Sequence, residues 1–147
     1  MPKVRRARKV AAAPEELWEL VSDPHHLPRW WPSVQRVEDA TPTAWTKVLS
    51  TPRGKTVRAD FTRVRALPPE QLVWRQEIEE SPFERILGSS ETTISLTPVG
   101  AGATRVELRS VQRLRGMAWF GGFMVKRATR RQLDEALRGL QNLKGSA

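Results

Sequence analysis

The last part of the chain restricts its fold most. From about Ala118 to Leu143 there is no proline. Val125, Thr129, Leu133, Ala136, Leu137, Leu140 and Leu143 form one stripe at helical spacing, and Arg127, Arg130, Arg131, Asp134, Glu135 and Arg138 lie away from it. This pattern predicts one long amphipathic helix, bent in its first turn by Gly121-Gly122. A helix with a single apolar face needs a partner layer.

The preceding residues predict that layer as strands. Val34–Val37, Trp45–Leu49, Thr56–Arg65, Gln71–Glu79, Arg85–Leu96 and Thr104–Arg115 are separated by Pro- and Gly-containing turns. Alternation is clear in two of them. Leu72, Trp74, Gln76 and Ile78 oppose Val73, Arg75, Glu77 and Glu79; Val106, Leu108, Ser110, Gln112 and Leu114 oppose a row rich in Arg. A basic strand at Lys3–Ala12 comes earlier still. After it, Pro14-Glu15-Glu16 opens a helix carrying Leu17, Leu20 and Val21 on one face. Asp23-Pro24 caps a second, short helix that Pro32 closes.

The order is strand, two short helices, about six strands, long helix. An antiparallel sheet with one apolar face can curl around that helix and leave a space between them. The inner rows hold Trp74, Gln76 and Ile78, then Ser110 and Gln112, with Ser90 and Thr92 from the neighbouring strand. Buried polar groups of this kind need partners or a cavity with water or ligand. An apolar pocket with a few polar groups is the usual form of a small-molecule site.

Composition narrows the rest. A length of 147 residues suits one domain spanning 1–147. Zero Cys removes disulfides, Cys zinc sites, iron–sulfur clusters and thiol nucleophiles, and fits a cytoplasmic, reducing compartment. No run approaches the ~18 apolar residues of a membrane span, and the basic N-terminus has no apolar segment of a secretory signal. The net charge of +9 points to nucleic acid, ribosome or another anionic surface. However, the excess is nearly all Arg, 19 against 6 Lys, and Arg63, Arg65, Arg105, Arg109, Arg113, Arg115, Arg127, Arg130 and Arg131 fall on the outer faces of strands and helix. No nucleic-acid motif accompanies them.

Several motifs resemble the START-like (SRPBCC) superfamily, in its polyketide cyclase/dehydrase-like branch. They are Ala12-Ala13-Pro14-Glu15-Glu16-Leu17-Trp18, the stretch from Asp23-Pro24 to Trp30-Trp31-Pro32, the run Leu96-Thr97-Pro98-Val99-Gly100-Ala101-Gly102-Ala103-Thr104-Arg105-Val106, and the long last helix. The resemblance implies an α+β helix-grip fold: a curved antiparallel sheet of six to seven strands around the C-terminal helix. It also implies binding of a lipid, polyketide or other aromatic or isoprenoid molecule under that helix. The superfamily includes polyketide cyclases, and proteins that dock on ribosomes or chaperones.

The candidate pocket residues are Trp30, Trp31, Trp74, Gln76, Ser90, Thr92, Ser110, Gln112, Phe123 and Met124. Trp30 and Trp31 read as a ligand gate, or as one ring in the core and the other capping the sheet edge; adjacent helical residues point about 100° apart, so the two should not share one role. Trp74 reads as ligand contact or as a core indole with a satisfied N–H. The polar five read as ligand contacts or as satisfied residues moved by a bulge. Trp119, Phe120, Phe123 and Met124 suit a cavity mouth, a membrane-facing flap, a homodimer contact or plain packing on the first helices.

Catalysis has little support from residues alone. His25 and His26, the two histidines, are adjacent, unlike a helical zinc pair at a spacing of four, so no metal is expected. No cofactor motif is present. The chain has no Tyr, whereas some catalytic members of the superfamily use a Tyr or Lys inside the pocket. Alternation puts Asp60, Glu77 and Glu91 outside, and Arg58 and Arg75 with them, although an inward Arg could stabilise an enolate. Three functions stay open: a binding or transport protein for a hydrophobic molecule, a polyketide cyclase or dehydratase, and a basic module on ribosome or nucleic acid.

Overall fold

The computed structural model describes residues 3–116 and 122–147. Seven strands make one antiparallel sheet: β1 (Lys3–Val10), β2 (Val34–Glu38), β3 (Ala44–Ser50), β4 (Thr56–Leu67), β5 (Gln71–Glu77), β6 (Leu87–Pro98) and β7 (Thr104–Leu114). Their order across it is β1-β7-β6-β5-β4-β3-β2. The chain therefore runs as a meander from β2 to β7, and β1 adds to the β7 edge. Between β1 and β2 it crosses to the opposite edge through α1 (Pro14–Ser22), a 3-10 turn at Pro24–His26 and α2 (Leu27–Trp30). The last helix, α3 (Gly122–Lys144), packs on β1, β7 and α2. The curved sheet wraps it, burying Thr129, Leu133, Ala136, Leu137 and Leu140.

Local chemistry explains the crossing. Helix α1 starts with Pro14 and carries Glu15 and Glu16 in its first turn, where a carboxylate meets the positive end of the helix dipole. Its buried face is Leu17, Leu20 and Val21. Pro24 keeps Asp23 extended, which stops the helix. The Asp23 carboxylate then accepts the His25 backbone N–H at 3.0 Å and opens the next turn.

Three contacts tie the layers together. Gly139 of α3 lies against the backbone of Trp30, so close that a Cβ there would sit 2.8 Å from Trp30 Cα. The Thr104 hydroxyl, fully buried, donates to the Ala12 carbonyl at 2.7 Å and joins the start of β7 to the end of β1. Gly145, at φ 101°, ends α3 in a conformation suited to glycine. Its carbonyl accepts the Ala11 N–H at 2.9 Å, and Ser146 bridges to Val10.

Strand ends differ from the sequence expectation around one loop. β5 stops at Glu77, before Glu79, because the Ile78 carbonyl is taken by the Ser81 N–H at 3.1 Å. β6 starts at Leu87, after Arg85, because the Leu87 N–H turns back to the Phe83 carbonyl at 2.9 Å. The apolar stripe of α3 ends at Leu140, and Leu143 is 45% exposed. The expected helical residues 118–121, with the candidates Trp119 and Phe120, lie outside the described residues.

Candidate functional site

Between the sheet and the first half of α3 lies a cavity of about 310 Å³. This is near the lower end of the roughly 300–1,000 Å³ of small-molecule sites. Alternation along each strand builds its floor. β3 supplies Lys47 and Leu49, β4 Ala59 and Phe61, and β5 Trp74 and Gln76. β6 gives Ser90 and Thr92, and β7 gives Ser110, Gln112 and Leu114. Trp74, Thr92 and Ser110 are cross-strand neighbours in one row; Ser90 and Gln112 are paired in the next. The α3 wall is Val125, Ala128, Thr129 and Gln132, again at helical spacing. Ala128 and Gln132 are themselves exposed, so the cavity opens to solvent beside them.

Of the residues named from sequence, Trp31, Trp74, Gln76, Ser90, Thr92, Ser110 and Gln112 line this cavity together. Trp30 is buried but is not part of the lining; it packs edge-on to Trp31, ring centres 5.3 Å apart. Phe123 and Met124 also lie outside the lining, 73% and 64% exposed. The cavity face of α3 begins at Val125, and the two residues before it point elsewhere. They border an outer groove of about 640 Å³ with Pro32, Arg127 and Arg131. That groove is the larger depression, but it is walled by exposed side chains and only touches the cavity at Ala128 and Gln132.

Lys47 is a cavity residue not named from sequence. Its side chain is 2% exposed and faces the cavity. The ammonium nitrogen lies 4.2 Å from the Phe61 ring centre, 4.4 Å from Trp31 and 4.9 Å from Trp74. The rings around it also contact each other. Trp74 meets Trp31 at 5.4 Å and Trp45 at 5.8 Å, both edge-on, and Trp45 stacks on Phe61 at 6.1 Å. Across the strand pair, Lys47 faces Ala59, whose methyl leaves room beside the amine. Burial pushes the Lys47 ammonium down to about 7, against an ordinary value of 10.5. The ring faces pull the other way, since an aromatic quadrupole attracts a cation. Among the described residues Lys47 is the one ionisable side chain lining the cavity.

The remaining charges stay outside. Asp60, Glu77 and Glu91 are exposed; Asp60 accepts from the Thr46 hydroxyl at 2.6 Å and Glu77 from the Thr62 hydroxyl at 2.8 Å. Arg58 pairs with Glu38 at 2.8 Å, and Arg75 is exposed, so no Arg among the described residues enters the cavity. The guanidinium of Arg36, at 2.9 Å, helps Arg58 hold the Glu38 carboxyl below the usual carboxylate range. His25 and His26 both turn toward Asp23, at 2.9 and 3.8 Å. The carboxyl of Asp23 is held low by hydrogen bonds from His25 against the opposing effect of burial. The indole N–H groups of Trp30, Trp45 and Trp74 are buried without an acceptor among the described residues. Thr129 donates to the Gln112 amide oxygen at 3.3 Å, across the cavity end.

A seven-stranded sheet gripping a C-terminal helix, with an apolar cavity between them, defines the START-like class. The chain belongs to the family described as polyketide cyclase/dehydrase and lipid transport, whose model matches residues 1–144. No curated protein sequence matches it. Similar solved structures include a START superfamily protein from Mycobacterium smegmatis, 18% identical, with a TM-score of 0.79 over 97% of this chain and 96% of that one. XoxI from Bacillus cereus is 15% identical, with a TM-score of 0.79 over 98% and 96%. The di-domain ARO/CYC BexL of the BE-7585A biosynthetic pathway is 21% identical, with a TM-score of 0.79. This chain covers 46% of BexL, and 97% of this chain is matched. No helix among the described residues is long and apolar enough to cross a membrane.

Proposed function

We propose that the chain, as one domain, binds a small hydrophobic molecule in this cavity and acts as a binding or transport protein. The ligand class is lipid, polyketide or another aromatic or isoprenoid compound. The observation that carries this reading is the cavity itself. It has aromatic walls, a handful of hydroxyl and amide groups, and an opening beside Ala128 and Gln132. Burial of an apolar ligand there removes apolar surface from water, at about 25 cal/mol per Å². Native mass spectrometry together with ligand quenching of Trp fluorescence tests it. Saturable, one-to-one binding is the expected result, and a solved structure with a solid interior would remove the reading.

Polyketide cyclisation is the second reading, and Lys47 is the specific observation in its favour. A pocket without an ionisable group would offer no acid–base chemistry, and this one holds an amine that titrates near neutrality. Its ammonium form could polarise a ketone oxygen held between the rings. Loss of cyclised product in Lys47→Met, with substrate binding retained, would support turnover; equal product from both proteins would remove it.

A further inference from the structure

Lys47 differs from every other lysine of the chain in its surroundings. Lys3, Lys9, Lys55 and Lys126 are exposed, and Lys144 pairs with Glu16 at 3.5 Å. Among the described residues no carboxylate pairs with Lys47 to hold it charged. The groups facing it are Val37 from β2, Ala59 and Phe61 from β4, Trp74 and Gln76 from β5, Trp31 after α2, and Val125, Thr129 and Gln132 from α3. None of them titrates or carries charge. Burial removes the water that would solvate an ammonium, and no ion pair among the described residues replaces it.

We propose that Lys47 forms a covalent imine with an apolar aldehyde or ketone bound in the cavity. The inference rests on the cavity being the ligand site and adds the chemistry that it performs. The geometry supports it in three ways. The amine lies at the floor of an apolar space open to solvent at one side, so a carbonyl compound can enter and water can leave. The methyl of Ala59 leaves space on the strand beside it. The rings of Trp31, Phe61 and Trp74 surround the nitrogen and would pack on the apolar body of the ligand.

The step balances without a further reagent. The neutral amine attacks the carbonyl carbon, a C–N bond forms, and a proton passes from nitrogen to oxygen to give a carbinolamine. Loss of that oxygen as water breaks the C–O bond and leaves C=N. One amine and one carbonyl give one imine and one water. A lysine is a poor nucleophile while protonated, and desolvation in an apolar pocket is a recognised way to free its lone pair. An amine titrating near 7 is about half neutral at that pH, whereas one near about 10.4 is almost wholly protonated.

The test uses the intact protein with naphthaldehyde and sodium cyanoborohydride, which reduces the imine to a stable amine. Intact-mass and peptide analysis then locate the adduct. One adduct on Lys47 is expected, with a labelling rate that rises with pH and levels off near neutrality. Adducts spread over the exposed lysines, or a Lys47 rate still climbing near about pH 10, would overturn the proposal. Naphthalenemethanol, which has no carbonyl, separates the two layers of inference through its quenching of Trp fluorescence. Quenching by the alcohol without trapping of the aldehyde overturns the imine and leaves the binding site standing. Neither quenching nor trapping removes both. Lys47→Met should abolish trapping while the alcohol still quenches.

Discussion

Replacing Lys47 by Met should stabilise the protein, and by an amount that depends on pH. The folded-state ammonium titrates at about 7, while an unfolded lysine keeps its ordinary value of 10.5. Between these values the unfolded chain binds the extra proton and the folded one does not, so stability rises with pH. The penalty is fully present below about 7 and gone above about 10.5. The difference of roughly 3.5 between the two values, at 1.36 kcal/mol each, corresponds to about 5 kcal/mol. Lys47→Met should therefore gain up to about 5 kcal/mol at and below neutral pH, with its apolar chain filling similar space. Urea unfolding of both proteins from about pH 6 to about pH 10 measures the difference. It should shrink by about 1.4 kcal/mol per pH unit above 7. A difference that stays flat with pH, or a destabilised Met variant at neutral pH, would refute the desolvation of Lys47.

Other substitutions probe the frame around the cavity. Gly139→Ala gains up to about 1 kcal/mol of helix propensity, but its methyl collides with the Trp30 backbone, so a net loss of about 1–2 kcal/mol is expected in thermal or urea unfolding. Thr104→Val leaves the buried Ala12 carbonyl without its donor and should cost about 1–3 kcal/mol, read in the same assay. Trp30→Ala should destabilise by about 3–5 kcal/mol as a core truncation, yet leave quenching by a cavity ligand measurable in the remaining folded protein.

Much of the architecture was readable because its periods are clean. The alternation of β5 and β7 placed Trp74, Gln76, Ser110 and Gln112 on one face, and these side chains do line the cavity. The stripe on α3 fixed which face meets the sheet as far as Leu140. Lys47 escaped because β3 reads Trp45-Thr46-Lys47-Val48-Leu49, with apolar residues on both faces. Val48 is buried on the side opposite Lys47, flanked in register by Arg36 and Arg58. The available signal was the two-residue step from Trp45 to Lys47 to Leu49. A lysine on that row shares the buried face of the strand with Trp45. Phe123 and Met124 looked like cavity residues because apolar character continues around the helix there. Only the phase set by Val125, Thr129 and Gln132 separates them from the lining. Irregular pairing at Val34/Arg36, Arg63/Arg65 and Leu87/Ser89 is not encoded in alternation at all.

The most direct measurement is a Trp fluorescence titration with naphthalenemethanol on the wild-type protein and on Ser110→Phe. Ser110 sits in the row with Trp74 and Thr92, and a Phe ring there projects into the cavity space. Saturable quenching of the wild type, lost in a Ser110→Phe protein that keeps its folded spectrum, is the expected result. Absent quenching in the wild type, or equal quenching in the filled variant, would contradict a ligand site between the sheet and α3.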